Sequence, residues 1–238
     1  MKNRNINIFT LDLKGLFFAV LFGIIFYFLG GSEFGILFVL SMILFLILSS
    51  IVTKIGKTHK KTMNLYESTR SIKNVLSNGT PPLIFALLFF IFIKTPLINL
   101  LLLVGFMSTV SAITADKFSS EIGVLDGQPR MIIGFKKVKK GVSGGVTLLG
   151  LISGLFASLL IAMFYLVYFY FIPNIYFTST VNILLLFLII IISGFIGTIL
   201  DSILGYFESN KIGTKHTTNF IASILAGFIG IALFLITI

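Results

Sequence analysis

The chain has 238 residues, 57% of them apolar and 11% charged, with 18 Lys and Arg against 8 Asp and Glu and with neither Cys nor Trp. A soluble domain is about half apolar and a quarter charged, so these proportions exclude a soluble domain, a disordered chain and a disulfide scaffold. They point instead to one polytopic membrane domain over residues 1–238, in which the net charge of +10 reports sidedness rather than a nucleic-acid partner.

About 20 apolar residues are needed to cross a bilayer as a helix. In chain order the candidates are residues 15–30, 34–52, within 75–93, within 96–114, 146–172, 181–204 and 217 to the end of the sequence. Lys94, Thr95 and Pro96 form a tight turn between the third and fourth, because proline disfavours helix in the residue before it. Glu33 and a second apolar run follow the first stretch where a cleavage site would stand, so that stretch reads as a retained span. The expected fold class is therefore all-α, a polytopic membrane helical bundle of about seven transmembrane helices.

With seven spans, residues 1–14, 53–73, 115–145 and 205–216 share one side. These segments hold seventeen of the eighteen basic residues, Lys94 being the exception, and six of the eight acidic ones; Asp201, near the end of the sixth span, falls on the same side, and only Glu33 does not. The positive-inside rule makes that side cytoplasmic, which gives an N-in, C-out topology. The expected location is a prokaryotic cell membrane, with the active face cytoplasmic.

Three carboxylates fall at or near membrane depth on that side: Asp116, Glu121 and Asp201. Ionisable groups at such depth are costly and tend to be functional. Mg²⁺ prefers oxygen ligands, often one or two carboxylates with water and substrate phosphates, so these three are candidate metal ligands; the alternative is that each pairs with a neighbouring Lys or Arg. Gly194, Gly197, Asp201, Gly205 and Glu208 recur every three or four residues and form one helical stripe. Similar stripes run through Ser143, Thr147, Gly150, Gly154 and Ser158, and through Asn219, Ser223 and Gly230. Small residues at this spacing let membrane helices pack closely, while Asp201, Ser202, Asn219 and Ser143 exceed what packing requires.

Lys139-Lys140-Gly-Val-Ser-Gly-Gly-Val-Thr147 is a basic, glycine-rich turn leading into a helix. Gly141, Gly144 and Gly145 would let backbone amides approach a phosphate, with the helix N-terminus adding donors; the order is not that of a Walker A loop. Upstream, Asn74 and Asn78 share a helix face four residues apart, behind Arg70 and Lys73. The chain lacks Cys and paired-His spacing, which argues against zinc or haem.

The stretches Ala115-Asp-Lys-Phe-Ser-Ser-Glu-Ile-Gly123, Pro129-Arg130, Gly141-Val-Ser-Gly-Gly-Val-Thr-Leu-Leu-Gly150, Gly197-Thr-Ile-Leu-Asp-Ser-Ile-Leu-Gly205 and Asn219, with Arg70 to Gly79 upstream, resemble an integral membrane family catalogued as domain of unknown function ninety-two. That family includes the plant phytyl-phosphate kinases of tocopherol synthesis. The resemblance covers roughly residues 30–237. Lys117 and Phe118 depart from the family's usual Thr and Trp, and Lys117 could contact a phosphate or neutralise Asp116.

The resemblance implies a kinase that transfers the γ-phosphoryl of CTP to a prenyl monophosphate such as phytyl or geranylgeranyl phosphate. It further implies Mg²⁺ on Asp116, Glu121 and Asp201, phosphate contacts from Ser143, Gly144, Gly145, Lys140, Arg70 and Lys73, and orientation of nucleotide or head group by Asn74, Asn78, Ser120, Ser202 and Asn219. A phosphate nucleophile is already anionic, so the carboxylates are expected as metal ligands rather than bases. The expected partners are the prenyl-phosphate lipid, the nucleotide and membrane lipids, with self-association as a homo-oligomer left open. The rivals are a cytidylyltransferase making a CDP-activated lipid, a transporter or flippase of phosphorylated lipids, and a membrane protein without activity.

Overall fold

A computed structural model describes residues 10–67, 69, 71–172 and 182–237. Its helices are α1 (Leu13–Lys54), α2 (Lys57–Thr62), α3 (Ile72–Ile91), α4 (Pro96–Gly123), α5 (Leu148–Phe171), α6 (Ile183–Ser209) and α7 (Lys215–Leu235). A two-stranded antiparallel ribbon, β1 (Arg130–Met131) with β2 (Gly145–Val146), pairs Arg130 with Val146 and lies between α4 and α5. Six of the helices are long and apolar enough to span a membrane.

The helix α1 is two spans rather than one. Gly31 breaks it at φ 61°, a left-handed conformation that glycine adopts without steric cost. The arms then run side by side: a Cβ on Gly30 would lie 2.5 Å from the Gly35 nitrogen, and at the far end Thr10 Oγ1 meets Ser50 Oγ at 3.4 Å. The six apolar helices thus make seven crossings, and the first two expected spans meet at this turn.

At the second turn, Thr95 takes the N-cap position of α4 without a side-chain capping bond, and Pro96 occupies the first turn, where a missing N–H costs nothing. The expected outer connection near residues 173–180 lies outside the described residues, as do Lys2 and Arg4.

The centre of the bundle is α4. Its most apolar stretch is 78% buried, against 39–44% for the other five spanning helices, and it packs against α1, α3, α5, α6 and α7. Its small residues make this possible. Gly194 of α6 sits directly on Ser111, Gly230 of α7 directly on Ser108, and a Cβ on Gly197 would lie 2.6 Å from the Ala112 Cβ. The small-residue stripes are packing faces along this depth, as dispersion-driven helix association in lipid requires.

Two boundaries differ from expectation. Helix α4 does not stop near Thr114; its 28 residues continue to Gly123. At 1.5 Å per residue it is roughly 42 Å long, longer than a hydrocarbon core of about 30 Å. Helix α6 likewise continues past Leu204 to Ser209. The chemistry-bearing residues of the 115–145 segment therefore begin on a rigid helix. Only residues beyond Gly123 form irregular structure, folded through the ribbon over the end of the bundle.

Candidate functional site

By alternation of the spans, Lys54, the start of α3, the end of α4, the start of α5, the end of α6 and the start of α7 share one end of the bundle. Among the described cations only Lys94 stands at the other. An open cleft lies at this cation-rich end, between α4, α6, α7 and the 141–147 turn.

Its floor is built from three helices. Asp116 comes from the penultimate turns of α4 and Asp201 from α6, and their carboxyl groups are within hydrogen-bonding reach of each other. Asn219, one turn into α7, stands between them: its Nδ2 lies 3.4 Å from Asp116 Oδ2 in one amide orientation, and in the reversed orientation the nitrogen donates instead to Asp201 Oδ1 at 3.2 Å and to the Lys215 carbonyl at 2.7 Å. Ser120 Oγ stands 3.5 Å from Asp116 Oδ1. Lys215 and Glu208 are near enough to Asp201 to act on its charge; Glu208 reaches the cleft because residues 201, 205 and 208 share a helix face.

The glycine-rich turn forms the opposite wall, held by backbone contact. Gly144 has φ +80°, and a Cβ there would lie 2.6 Å from the Tyr206 nitrogen and 2.9 Å from the Ser202 carbonyl oxygen. Gly205 meets it from α6, where a Cβ would lie 2.5 Å from the Gly144 nitrogen. Two glycines touching backbone to backbone set Ser143 and Gly145 beside Asp201 and Ser202.

The N-terminus of α5 is not left open for a ligand. Thr147 Oγ1 accepts from the Gly150 amide at 3.1 Å and donates to the Gly123 carbonyl at 3.2 Å. Asp126 accepts from the Leu149 amide at 3.2 Å. The Gly127 amide (2.7 Å) and then the Leu149 amide hold the Asp126 carboxyl below the usual carboxylate range, with Lys140 adding to the effect. The first turn of α5 is thus capped by the protein's own anion.

Glu121 differs from the two aspartates. Its Oε2 pairs with Lys60 Nζ at 2.6 Å, its Oε1 pairs with Lys117, and Thr53 Oγ1 donates to it at 3.2 Å. Lys117 thus pairs with Glu121 one turn on along α4. Among the described residues no three of His, Cys, Asp or Glu converge on one metal position. The expected set of three carboxylates becomes an aspartate pair beside an ion-paired glutamate.

The structure brings Asp116, Glu121, Asp201, Ser120, Ser143, Gly144, Gly145, Ser202 and Asn219 into the cleft. Ser202 Oγ bonds back to the Thr198 carbonyl at 3.1 Å. Lys73 and Lys140 do not line the cleft, and Arg70 lies outside the described residues. Asn74 and Asn78 line a separate small cavity between the arms of α1, with Phe22, Phe26 and Phe45; the Asn78 side-chain amide donates to the Asn74 carbonyl at 2.9 Å.

Sequence reasoning did not place Glu67 or Lys215 at this site. Glu67 lies in a cation-rich stretch with no periodic signal, and only the chain's return across the cleft end brings it there. The lining holds five carboxylates (Glu67, Asp116, Glu121, Asp201, Glu208) and two ammonium groups (Lys117, Lys215). Among the described residues a chain of charge +10 thus encloses a cleft with an excess of negative charge.

The profile of the family described as integral membrane protein DUF92 matches residues 4–232. The chain belongs to the DUF92 family of integral membrane proteins. Among DUF92 relatives, an uncharacterized membrane protein of Methanocaldococcus jannaschii is 33% identical over 227 residues, covering 94% of this chain and 86% of its own length. Protein PGR of Arabidopsis thaliana is 37% identical over 102 residues, 42% of this chain and 35% of that protein. No solved structure matches this DUF92 chain.

Proposed function

We propose that this DUF92 protein is a membrane phosphotransferase that binds a nucleotide with Mg²⁺ in the cleft and transfers its γ-phosphoryl to a lipid monophosphate. The nucleotide is CTP and the acceptor a prenyl monophosphate such as phytyl or geranylgeranyl phosphate, as the family resemblance implies. The positive-inside rule turns the cation-rich end, and with it the cleft, toward the cytoplasm, where nucleotide is available.

The observation that carries the reading is the Asp116–Asp201 pair, with Asn219 beside it, in a cleft whose described lining holds more carboxylates than ammonium groups. Two carboxylates this close repel when both are ionised, and a cation between them relieves the repulsion. An oxygen donor set of two carboxylates and the Ser120 hydroxyl suits Mg²⁺, which keeps positions for water and phosphate. Asp116 and Asp201 would hold the ion, which supplies charge neutralisation to the phosphates. Glu121 does not fit as a ligand, since both of its oxygens already meet ammonium groups.

The remaining residues position. Phosphoryl transfer needs alignment and charge stabilisation more than covalent chemistry. Asn219 fixes the aspartate pair, Ser143 and the glycine turn bound the phosphate side, and Lys215 offers a cation at the rim. The acceptor phosphate is anionic at neutral pH and needs no base.

The test is incubation of the purified protein with γ-labelled CTP, Mg²⁺ and a panel of prenyl alcohols and monophosphates. Label in a prenyl diphosphate is the expected result. Label only in pyrophosphate indicates a cytidylyltransferase, and absence of turnover with every acceptor refutes the enzymatic reading.

A further inference from the structure

The buried cation beside the cleft has no role in the reading above. Lys60, on the six-residue helix α2, is fully buried. Its ammonium donates to the Val52 carbonyl at 3.3 Å, to the Thr53 carbonyl at 3.3 Å and to Glu121 Oε2 at 2.6 Å. An ammonium has three protons, so Lys60 is saturated and turned away from the cleft. A charge removed from water in this way is stable only beside an opposite charge, and Glu121 is that charge.

Lys117 pairs with the other oxygen of the same carboxylate. Among the described residues two ammonium groups meet this one carboxylate, so it does not neutralise both. Lys60 cannot present the remaining positive charge, because its side chain is 0% exposed; the Lys117 side chain is 16% exposed and lines the cleft beside Asp116. One Lys117 proton goes to Glu121, and its other two are available to a ligand.

We infer that Lys117 is the cation that meets the nucleotide's phosphate chain, and that Lys60 is a positioning residue which, by taking up the charge of Glu121, leaves that of Lys117 for the ligand. The inference rests on the reading of the cleft as a nucleotide-phosphate site. In a cleft with surplus negative charge, a bound phosphate chain needs a protein cation as well as a metal ion, and Lys117 stands one residue from Asp116. Without Lys60, Glu121 would draw more of the charge of Lys117 to itself.

Equilibrium binding of CTP in the presence of Mg²⁺ to the purified full-length protein tests this. Lys117→Met should weaken binding by about tenfold or more, the scale of a hydrogen bond to a charged group. Lys60→Met should weaken it comparably while Lys117 remains. The double variant Lys60→Met/Glu121→Gln replaces both buried partners with neutral groups and returns the charge of Lys117 to the cleft, so CTP affinity should recover to near wild type. Mn²⁺ binding without nucleotide should be unchanged in the double variant, because Glu121 is not a ligand.

A double variant that melts like wild type but binds CTP as weakly as Lys117→Met overturns the inference, as does loss of its Mn²⁺ binding. If Lys60→Met alone does not fold, the comparison of the double variant with Lys117→Met still decides. Wild-type protein that binds Mn²⁺ but no CTP refutes the nucleotide reading itself, and this inference with it.

Discussion

Gly144→Ala tests how the cleft wall is held. A Cβ at this position meets backbone atoms of α6 on three sides, 2.6 Å from the Tyr206 nitrogen, 2.8 Å from the Gly205 carbonyl carbon and 2.9 Å from the Ser202 oxygen. No rotamer change relieves contacts with backbone, so the turn must lift away from α6. Overpacking of this kind costs about 1–3 kcal/mol. The φ of +80° adds a conformational cost of about 1–3 kcal/mol for any side chain.

Gly134 separates the two contributions. It also has φ +80°, but a Cβ there meets nothing within 4 Å, so Gly134→Ala carries the conformational cost alone. The difference between the variants is the packing cost, about 1–3 kcal/mol, or roughly 3–10 °C in melting temperature for a protein of this size. Thermal unfolding of the detergent-solubilised variants reads that difference, and CTP binding reads its consequence, since lifting the turn moves Ser143 away from Asp201. Equal melting shifts, or unimpaired CTP binding by Gly144→Ala, would refute the argument that the Gly144–Gly205 contact sets the wall.

Three further outcomes follow from the geometry. Asp116→Asn and Asp201→Asn should each weaken Mn²⁺ binding by about tenfold or more, read by titration of the paramagnetic ion, and full Mg²⁺-dependent transfer by either variant would remove the aspartate pair from the proposed site. Asp126→Ala should lower thermal stability at neutral pH by uncapping α5. Because the folded carboxyl lies below its usual range, the stability it contributes is present above that range and fades as the pH falls through the folded value, so melting curves of variant and wild type should converge in strong acid. Ser108 Oγ is buried and has no hydrogen-bond partner among the described residues; Ser108→Ala should leave the melting temperature equal or higher, and a clear drop would mean that the hydroxyl has a partner.

Much of this protein is legible in its sequence. Apolar runs of bilayer length fix the number of crossings, because lipid forces backbone groups to pair within a helix. The partition of Lys and Arg marks one end of the bundle, and the three-and-four spacing of glycines marks the faces that pack. Asp116, Asp201 and Asn219 stood out because a polar group at such depth is costly and rarely incidental.

The tertiary structure decided how those groups combine. Asp116, Asp201 and Asn219 come from three helices and become one cluster only when α6 and α7 pack on the small residues of α4. Glu121 has the same residue type and a similar depth as the aspartates, yet its partner Lys60 lies 61 positions away, beyond the reach of any local pattern. Asn74 and Asn78 share a face as their spacing requires, but α3 turns that face toward the arms of α1 and not toward the cleft. Periodicity determines which residues share a face; which face meets which ligand depends on long-range packing, and that is why the aspartate pair, the saturated Lys60 and the cleft's surplus of negative charge appear only in three dimensions.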